Sequence, residues 1–599
     1  MTGADAMQTA PQPGEPAGAL AAGLARHMQS WSLRLGAGAA AAEAAAAAAR
    51  ALVLAEAAGQ VCLPADQVPP RALLMASHCV GTPGRPGTCP MVLDHKGRLY
   101  LHRHWALEGR LAERLRAALR AAPLPVPAAA AATLARLFPA AGETGGLDAQ
   151  RLAVALALCR RLVLISGGPG TGKTHVAALL IEALLDAQPD LRLALAAPTG
   201  KAAARLGEVM RARQEASPTR STSTRPGPAW PKRAHTLHRL LGAGPRGFEH
   251  DASRPLPLDL LVVDEASMLD PALAVALLEA LPSTARLVLL GDRDQLSAVE
   301  AGAVFAELCA PPAFTPDTAA VLAPLCDIAA SALPAAGDDD TLADASVWLE
   351  RSRRFGDGSA IARAAAAVRQ GQPLALLEAV DGEALRWLAE PGPEPAAIWQ
   401  AIEQGYAPYL QQLQRDPADA AAAWSAFARF RVLCAVREGA RGTLAVNQRM
   451  SGALARAGHG ALGQPLMVLR NDPALELFNG DTGLLLPAPG GRLDVVFPGA
   501  DGALRRLPPE RLPAHELAWA CTVHKAQGSE FDRVLLLLPA TPVRVSGREL
   551  LYTGLTRARE QVLLCAPQAV LEAAIARPSP RGSGLADRLR GDVPGEGSG

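Results

Sequence analysis

This chain of 599 residues has few aromatic residues and no closely spaced cysteine pair. Aromatic residues make up only 4% of it, so extensive stacking on nucleic-acid bases is not expected and any strand contact should follow the backbone. The nine cysteines include no CxxC pair. Several fall within apolar runs, which is typical of reduced core thiols in a reducing compartment. These are Cys159, Cys309, Cys434, Cys521 and Cys565.

The sequence also lacks features of a membrane span or a signal peptide. The alanine-rich run at 37–55 is interrupted by Glu43 and Arg50, and alanine is only weakly lipophilic, so a helix of a folded domain is favoured over a span. The first residues, MTGADAMQTAPQPGEP, lack a basic start and an apolar core. We therefore expect a cytoplasmic protein without membrane contact.

The charge balance gives no overall attraction to nucleic acid. The chain has 59 basic and 58 acidic residues, so DNA binding would need a local basic groove. Only five basic residues are lysine, which favours sites that require a compact ammonium group, although coincidence remains an alternative. They are Lys96, Lys173, Lys201, Lys232 and Lys525.

Apolar strands alternate with helical segments in two stretches, which predicts two α/β domains with parallel sheets. Short strands separated by Asn-Gly, Gly-Gly and Asp-Gly turns predict a small β-barrel inserted in the second domain. The predicted divisions are a helical docking domain at 1–125, the first α/β domain at 126–345, the second α/β domain at 346–456 and 516–578, the barrel at 457–515, and a flexible tail at 579–599.

The strongest motif is GGPGTGKT at 167–174, which lies between the apolar run RLVLIS and an amphipathic stretch. A glycine-rich loop between a strand and a helix cradles phosphates with backbone N–H groups. We expect Lys173 to reach the β- and γ-phosphates of ATP and Thr174 to ligate Mg²⁺. A chance glycine-rich turn is the alternative. The predicted phosphate-binding residues are Gly167, Gly168, Pro169, Gly170, Thr171, Gly172, Lys173 and Thr174.

A second predicted strand ends in two acidic residues, which would complete a site for a nucleoside triphosphate. The run LLVVDEAS ends in Asp264, expected to bind Mg²⁺ through water, and Glu265, expected to act as general base toward the attacking water. Gln295 lies just past another predicted strand and could sense the γ-phosphate. Gln150 precedes the phosphate-loop strand and could pair with adenine. Each glutamine alone is more often an ordinary surface residue.

Two arginines of the second α/β domain could neutralise charge on the transferring phosphoryl group. Arg354 lies in LERSRRF and Arg557 in LLYTGLTRARE. An arginine supplied from a second domain couples domain closure to hydrolysis. This role requires that ATP binds in a cleft between two motor domains.

In their order along the chain and in their amino-acid sequences, these segments resemble the motifs of superfamily 1 helicases. The segments that narrow the match are APTGKAAARL (197–206), AHTLHRLLG (234–242), VVDEASM (262–268), GDRDQLSAVEAGAV (291–304), LFNGDTG (477–483), TVHKAQGSEFD (522–532) and YTGLTRAR (552–559). They look like the RecD family, the alpha subunit of exodeoxyribonuclease V. The resemblance covers about 145–570. It implies two RecA-like motor domains and an SH3-like form for the inserted barrel.

The implied activity is that of an ATP-dependent 5′→3′ DNA helicase that unwinds duplex ends in double-strand break repair by homologous recombination. The implied partners are DNA, a beta subunit that is a 3′→5′ helicase and nuclease, and a gamma scaffold subunit in a heterotrimer. No nuclease site is visible, because the acidic clusters at 338–340 and 508–516 lack a lysine partner. The alternatives are a free-standing helicase of the same branch and a DNA-bound scaffold whose ATPase has decayed.

The resemblance also assigns residues. Gln150 would hold adenine, Glu530 the ribose, and Gln295, Arg354 and Arg557 the γ-phosphate. The family usually reads Tyr-Arg where this chain has Arg353-Arg354, and the spacing to the following phenylalanine favours Arg354.

Seven further residues would contact DNA phosphates from loops at the sheet edge facing away from the nucleotide loops. Helix capping by the threonines and packing of His238 are the alternatives. The seven are Thr199, Lys201, Thr236, His238, Thr522, His524 and Lys525.

Overall fold

A computed structural model describes residues 16–139, 147–216, 230–297, 301–389, 396–577 and 582–591, apart from 232, 339, 353, 355–357, 473, 500–502 and 544. Its strands form a small N-terminal sheet, two parallel sheets and one antiparallel sheet. The two parallel sheets confirm the prediction of two α/β domains. No helix in these ranges is both long and apolar enough to cross a membrane.

The N-terminal region combines helices with a four-stranded sheet, so the prediction of a helical domain is incomplete. Its strands are only two or three residues long, too short for the alternation that identifies a strand. The helices are α1 (Pro16–Arg34), α2 (Ala39–Glu56), α3 (Arg71–Ala76) and α4 (His102–Leu119). The strands are β1 (Cys62–Leu63), β2 (Val80–Gly81), β3 (Met91–Leu93) and β4 (Leu99–Leu101), in the order β1-β4-β3-β2.

The first motor domain is built on a six-stranded parallel sheet in the order β10-β5-β9-β8-β6-β7. Its strands are β5 (Leu162–Gly167), β6 (Leu193–Ala197), β7 (His235–Thr236), β8 (Leu260–Val263), β9 (Arg286–Gly291) and β10 (Ser346–Leu349). Its helices are α5 (Ala130–Leu137), α6 (Ala149–Cys159), α7 (Lys173–Ala187), α8 (Gly200–Ala216), α9 (Leu237–Leu240), α10 (Pro271–Ala280), α11 (Val304–Leu308) and α12 (Pro316–Cys326).

The predicted boundary at 345 falls too early, because β10 pairs with β5 of the first sheet. The central strand β5 is buried along its whole length. Val163 and Ile165 pack on the side of α6 and α7, while Leu162 and Leu164 pack on the side of α4 and α10. This alternation follows from the two-residue period of a strand, and it holds the phosphate loop on a fully buried support.

The second motor domain has a five-stranded parallel sheet in the order β11-β20-β19-β12-β18. The strands are β11 (Leu385–Leu388), β12 (Phe430–Cys434), β18 (Ala520–Thr522), β19 (Phe531–Leu537) and β20 (Ala558–Cys565). The helices are α13 (Ala360–Gln370), α14 (Pro373–Glu378), α15 (Ala396–Arg415), α16 (Ala420–Ala428), α17 (Thr443–Arg456), α18 (Arg548–Leu555) and α19 (Gln568–Ala576).

An antiparallel sheet is inserted between α17 and β18. Its strands follow the order β16-β15-β14-β13-β17, and its position agrees with the predicted all-β insertion. The SH3-like barrel form stays a prediction. The strands are β13 (Pro465–Val468), β14 (Thr482–Pro487), β15 (Leu493–Pro498), β16 (Leu504–Leu507) and β17 (His515–Leu517).

The chain end returns to the N-terminal half of the molecule. Helix α20 (Leu585–Arg590) packs on α4, and Leu585 and Leu589 are buried in the first motor domain's core. The predicted flexible tail is therefore wrong for residues 582–591, where two leucines in a polar sequence suffice to dock a short helix. The remainder of the predicted tail, 579–581 and 592–599, lies outside the described residues.

Candidate nucleotide and DNA site

The phosphate loop connects the end of β5 to the start of α7. Gly170 and Gly172 have φ angles of +79° and +89°, a left-handed conformation that favours glycine. Nζ of Lys173 donates to the carbonyl oxygens of Gly167 at 2.6 Å and Gly168 at 3.3 Å. The lysine ammonium group therefore lies against the backbone of the loop.

Side chains from the second half of the chain pack directly on this loop. A Cβ at Gly168 would lie 2.9 Å from the hydroxyl oxygen of Tyr552, and one at Gly170 would overlap Cβ of Arg354. Glycine is thus required at both positions for close approach, and at Gly170 also for backbone conformation. The loop is enclosed by residues from both motor domains.

The acidic strand end follows β8 and faces the loop. Oγ1 of Thr174 donates to Oδ2 of Asp264 at 3.2 Å, so the two predicted Mg²⁺ ligands are adjacent. Glu265 has a φ of +53°, an uncommon conformation for a residue with a side chain. Burial and the negative charge of Asp264 raise the pKa of Glu265, against the opposing charges of Arg557 and Lys173. A raised pKa suits a general base.

A buried cluster beside the loop joins the predicted Gln295 to two residues that were not predicted, Asp292 and Tyr552. Nε2 of Gln295 donates to Oδ2 of Asp292 at 2.8 Å, and the Tyr552 hydroxyl donates to the same oxygen at 3.0 Å. Burial raises the pKa of Asp292. Oε1 of Gln295 is buried and has no hydrogen-bond partner within the described residues. The signal available in the sequence was the position of Asp292 directly after a buried strand.

The two predicted arginines reach the site from beyond the first sheet. Nη2 of Arg354 donates to Oε1 of Glu530 at 2.5 Å. Arg557 is buried and donates through Nη1 to the carbonyl of Ser529 at 3.3 Å. Its charge is among those that lower the pKa of Glu265, which indicates proximity to the acidic pair. Arg353 lies outside the described residues.

Glu530, predicted to contact the ribose, is surrounded by arginines. It accepts hydrogen bonds from Arg205 at 2.8 Å and from Arg354, and Arg559 approaches its other oxygen at 3.4 Å. Although burial alone would raise the pKa of Glu530, Arg205 and Arg354 lower it to about 2. The carboxylate therefore joins helix α8, the interdomain connection and strand β20.

Gln150, predicted to hold adenine, lies against the phosphate loop. Its Nε2 donates to the carbonyl of Thr171 at 2.9 Å. Asp148 caps the helix by accepting from the backbone N–H of Gln150 at 2.8 Å. The cap fixes the first turn of α6 beside the loop. The adenine contact itself stays a prediction.

The two motor domains meet through polar contacts beside this site. Oγ1 of Thr553 accepts from the backbone N–H of Leu296 at 3.0 Å, and Nε2 of Gln527 donates to the Leu296 carbonyl at 2.7 Å. The loop after β9 is thus bonded to α18 and to the segment before β19. A shift of either domain relative to the other would therefore displace Gln295, which is next to Leu296.

A cleft of about 1220 Å³ lies between both motor domains and the inserted sheet. Three of the predicted DNA residues, Lys201, Thr236 and Lys525, line it. The cleft also contains basic residues that the sequence analysis did not single out, since a lone arginine carries no signal in an arginine-rich chain. These are Arg205, Arg211, Arg233, Arg239, Arg431, Arg505 and Arg559.

Three of the predicted DNA contacts are threonines that cap local structure. Thr199, Thr236 and Thr522 each accept from a backbone N–H three residues later, at 3.2 to 3.3 Å. This is the capping role named as the alternative, and it leaves each hydroxyl able to accept a further bond.

The two predicted histidines differ in exposure. The imidazole of His238 is exposed and lies 6.0 Å from the Phe248 ring. His524 is partly buried, and burial lowers its pKa. A neutral imidazole at His524 would hydrogen-bond to phosphate but would add no positive charge.

The predicted separation of nucleotide and DNA loops onto different sheet edges is wrong. The phosphate loop follows β5, and Thr199 and Lys201 follow β6; all strands of this sheet are parallel. Both loops therefore emerge at the same carboxyl edge, separated by β9 and β8.

Arg354 lies on the connection between β10 and α13, so of the two predicted arginines only Arg557 belongs to the second α/β domain. A phosphate loop, an acidic strand end and these two arginines together define a superfamily 1 helicase motor. Residues 150–301 match the AAA domain family, and residues 517–565 match the UvrD-like helicase C-terminal domain family. The RecBCD enzyme subunit RecD of Mycobacterium tuberculosis is 38% identical over 514 residues, covering 82% of this chain and 80% of that protein. The chain belongs to the RecD family.

Two other similarities are more distant. The ATP-dependent RecD2 DNA helicase of Deinococcus radiodurans is 32% identical over 508 residues, covering 83% of this chain and 59% of that protein. A crystal structure of Bacteroides Pif1 bound to ssDNA has a TM-score of 0.37 and 16% identity, covering 70% of this chain and 91% of that one.

Proposed function

We propose that this chain is the ATP-driven 5′→3′ DNA motor of a helicase–nuclease complex that unwinds duplex ends for recombinational repair. The observation that carries the proposal is the arrangement of one phosphate loop, two arginines and a basic cleft at a single joint between two motor domains. Membership of the RecD family supports it. ATP hydrolysis at the joint would then change the relative positions of two DNA-contacting surfaces.

Each nucleotide-site residue has a chemical part in this proposal. Lys173 and the loop N–H groups bind the phosphates, and Glu265 takes a proton from the attacking water. Gln295 has a buried amide oxygen that no group among the described residues hydrogen-bonds, and this oxygen would orient that water. Arg354 and Arg557 stabilise negative charge on the transferring phosphoryl group.

Magnesium is the metal that this donor set fits. Thr174 offers a hydroxyl and Asp264 a carboxylate, both hard oxygen donors and already adjacent. Mg²⁺ keeps several waters and is usually held by few protein groups with substrate phosphates. The described residues contain no group of three or more His, Cys, Asp or Glu side chains that could hold a metal ion. When bound, the ion would neutralise phosphate charge.

DNA would be held through its phosphates. The cleft carries several arginines, with Lys201 and Lys525 beside them, and such contacts are independent of sequence and sensitive to salt. Nζ of Lys525 donates to Oε1 of Glu516 at 2.5 Å. A bound phosphate would compete with this carboxylate on β17, so the inserted sheet would respond to strand binding.

The proposed partner subunits are inferred from membership of the RecD family. The Mycobacterium tuberculosis relative is named as a subunit of the RecBCD enzyme, and we propose a heterotrimer in which a beta subunit supplies the nuclease and a gamma subunit the scaffold. Cytoplasmic action is proposed because the substrate would be chromosomal DNA and all nine cysteines are free thiols.

The deciding experiment measures unwinding by the purified chain of duplexes that carry either a 5′ or a 3′ single-stranded tail. ATP hydrolysis is followed in the same reactions. Unwinding of the 5′-tailed duplex alone is expected, and Lys173→Gln should abolish it. Preference for the 3′ tail would contradict the proposed polarity. Undiminished unwinding by the assembled complex that carries Lys173→Gln would favour a scaffold with a decayed ATPase. A rate of unwinding by the isolated chain that added beta and gamma subunits do not change would favour a free-standing helicase.

A further inference from the structure

Ser529 and Glu530 form a short segment that bonds to cationic side chains on several sides. Oγ of Ser529 accepts a hydrogen bond from Nζ of Lys201 at 2.7 Å, and its backbone carbonyl accepts one from Arg557 at 3.3 Å. Oε1 of Glu530 accepts from Arg354 at 2.5 Å. One pair of residues therefore contacts a lysine of the DNA cleft and both arginines of the nucleotide site.

The segment is buried, but it follows a glycine, Gly528, at which the backbone can change conformation. Ser529 is 6% exposed and the Glu530 side chain 10%, so water does not readily replace these bonds. Gly528 precedes them with a φ of +71° and open space around the position of its absent Cβ. Glycine there allows the backbone to change conformation without a side-chain clash.

A DNA phosphate at Lys201 would compete with Ser529 for the ammonium group. A charged phosphate oxygen is a stronger acceptor than a hydroxyl, and a lysine on a flexible stem can turn toward it. Loss of the Lys201 bond would free Ser529, and with it the adjacent carboxylate of Glu530. The Cβ of Arg354 already lies against Gly170 of the phosphate loop. A side-chain rotation would then suffice to bring the guanidinium group to the nucleotide.

We propose that Ser529 is a positioning residue whose hydrogen bond with Lys201 restrains Arg354 on Glu530 until DNA enters the cleft. The inference rests on the proposed function, because it takes Lys201 as a DNA contact and Arg354 as a γ-phosphate contact. It adds a specific route from one site to the other. DNA stimulates hydrolysis in this scheme by releasing an arginine, with no change in the phosphate loop itself.

The test is steady-state ATP hydrolysis by the full-length chain with and without a single-stranded oligonucleotide. Ser529→Ala should raise the DNA-free kcat about fivefold and leave the kcat at saturating oligonucleotide within about twofold of wild type. The matched control is Ser546→Ala, since Ser546 is also buried and its hydroxyl has no partner within the described residues. That control should leave both rates unchanged.

A double-mutant cycle separates this role from simple destabilisation. Lys201→Met should also raise the DNA-free kcat, and adding Ser529→Ala to it should produce no further rise, because both changes remove the same bond. Additive rises, or an unchanged DNA-free kcat in Ser529→Ala, would overturn the proposal. A wild-type chain whose hydrolysis is not stimulated by the oligonucleotide would contradict the proposed function instead.

Discussion

Glu265 has both an uncommon backbone conformation and a raised pKa. Its φ of +53° turns the chain sharply after β8, and burial with the neighbouring Asp264 carboxylate favours the protonated acid. Such features persist only where the surrounding structure holds them, and they concentrate at active sites. The position of Glu265 after an apolar strand identified it from the sequence. Its backbone strain and its burial could not be predicted from the sequence.

We expect Glu265→Gln to bind ATP normally and to hydrolyse it at least about a hundredfold more slowly than wild type, because the amide cannot accept the proton from water. Nucleotide affinity and single-turnover hydrolysis should be measured on the same preparation. Glu249→Gln is the control, since that side chain is 54% exposed and pairs with Arg254 at the surface. Ordinary hydrolysis by Glu265→Gln would remove the residue from this role.

The Glu530 cluster predicts a dependence of stability on pH. A carboxyl group whose pKa is lower in the folded chain contributes stability that is complete above its unfolded pKa and is lost as pH falls through its folded pKa. Here those values are 4.5 and about 2. The free energy of unfolding of wild type should exceed that of Glu530→Gln by about 3 kcal/mol near neutrality. The difference should shrink only below about pH 4.5.

Urea unfolding at a series of pH values would measure this difference. Glu476→Gln is the control, because Glu476 is 67% exposed and its pairing with Arg505 is long, at 3.6 Å. That variant should match wild type at every pH. A Glu530→Gln variant whose deficit appears only above neutrality would contradict the ion-pair account.

At the level of elements, the inserted sheet contacts the first motor domain at the start of α8. A Cβ at Gly200 would overlap the ring of Phe478, which lies on the loop between β13 and β14. Backbone N–H of Phe478 donates to Asp481 at 2.8 Å, so the ring is held by a local turn. The ring therefore packs on Gly200, which lies between Thr199 and Lys201 in the sequence, and it lines the cleft.

We expect Gly200→Ala to displace Phe478 and weaken binding of single-stranded DNA about tenfold, since the shift would move Lys201. Adding Phe478→Ala should recover part of the loss by removing the clash. Gly207→Ala on the same helix is the control, because its Cβ would lie at ordinary contact distances of 3.6 Å and more. Fluorescence anisotropy with a labelled oligonucleotide measures all the variants. Equal affinity of the Gly200→Ala and Gly207→Ala variants for the oligonucleotide would show that the contact between Gly200 and Phe478 does not position Lys201 for DNA binding.

Elements with strong local patterns were predictable and those set by distant contacts were not. Strands β5 and β8 could be identified as apolar runs before polar motifs, and their ends carry Lys173 and Asp264 as expected. By contrast, β10 pairs with β5 across a long stretch of chain, and the short strands β1 and β2 have no periodicity. The contacts of Glu530 with Arg205 and Arg354 join distant segments, and no spacing in the sequence indicates such pairs.

On the scale of the whole molecule, the chain end ties the N-terminal region to the first motor domain. The carbonyl of Gly582 accepts from the backbone N–H of Val61 at 2.9 Å, and Oγ of Ser583 donates to Glu307 at 2.6 Å. Nε of Arg588 donates to Glu108 of α4 at 2.8 Å. We call residues 582–591 the C-terminal clasp. Because these residues follow the second motor domain, the clasp is a second connection between the two halves of the molecule.

Loss of the buried ion pair in this clasp should therefore destabilise the whole N-terminal half. Arg588 and Glu108 are 7% and 5% exposed, so Arg588→Met should lower the free energy of unfolding by about 3–5 kcal/mol through an uncompensated buried carboxylate. The double variant Arg588→Met with Glu108→Gln should recover part of that loss. Arg590→Met is the control, since Arg590 is 56% exposed. Thermal unfolding and limited proteolysis of the full-length chain report the effect, and equal stability of the two methionine variants would mean that the clasp does not hold the N-terminal region in place.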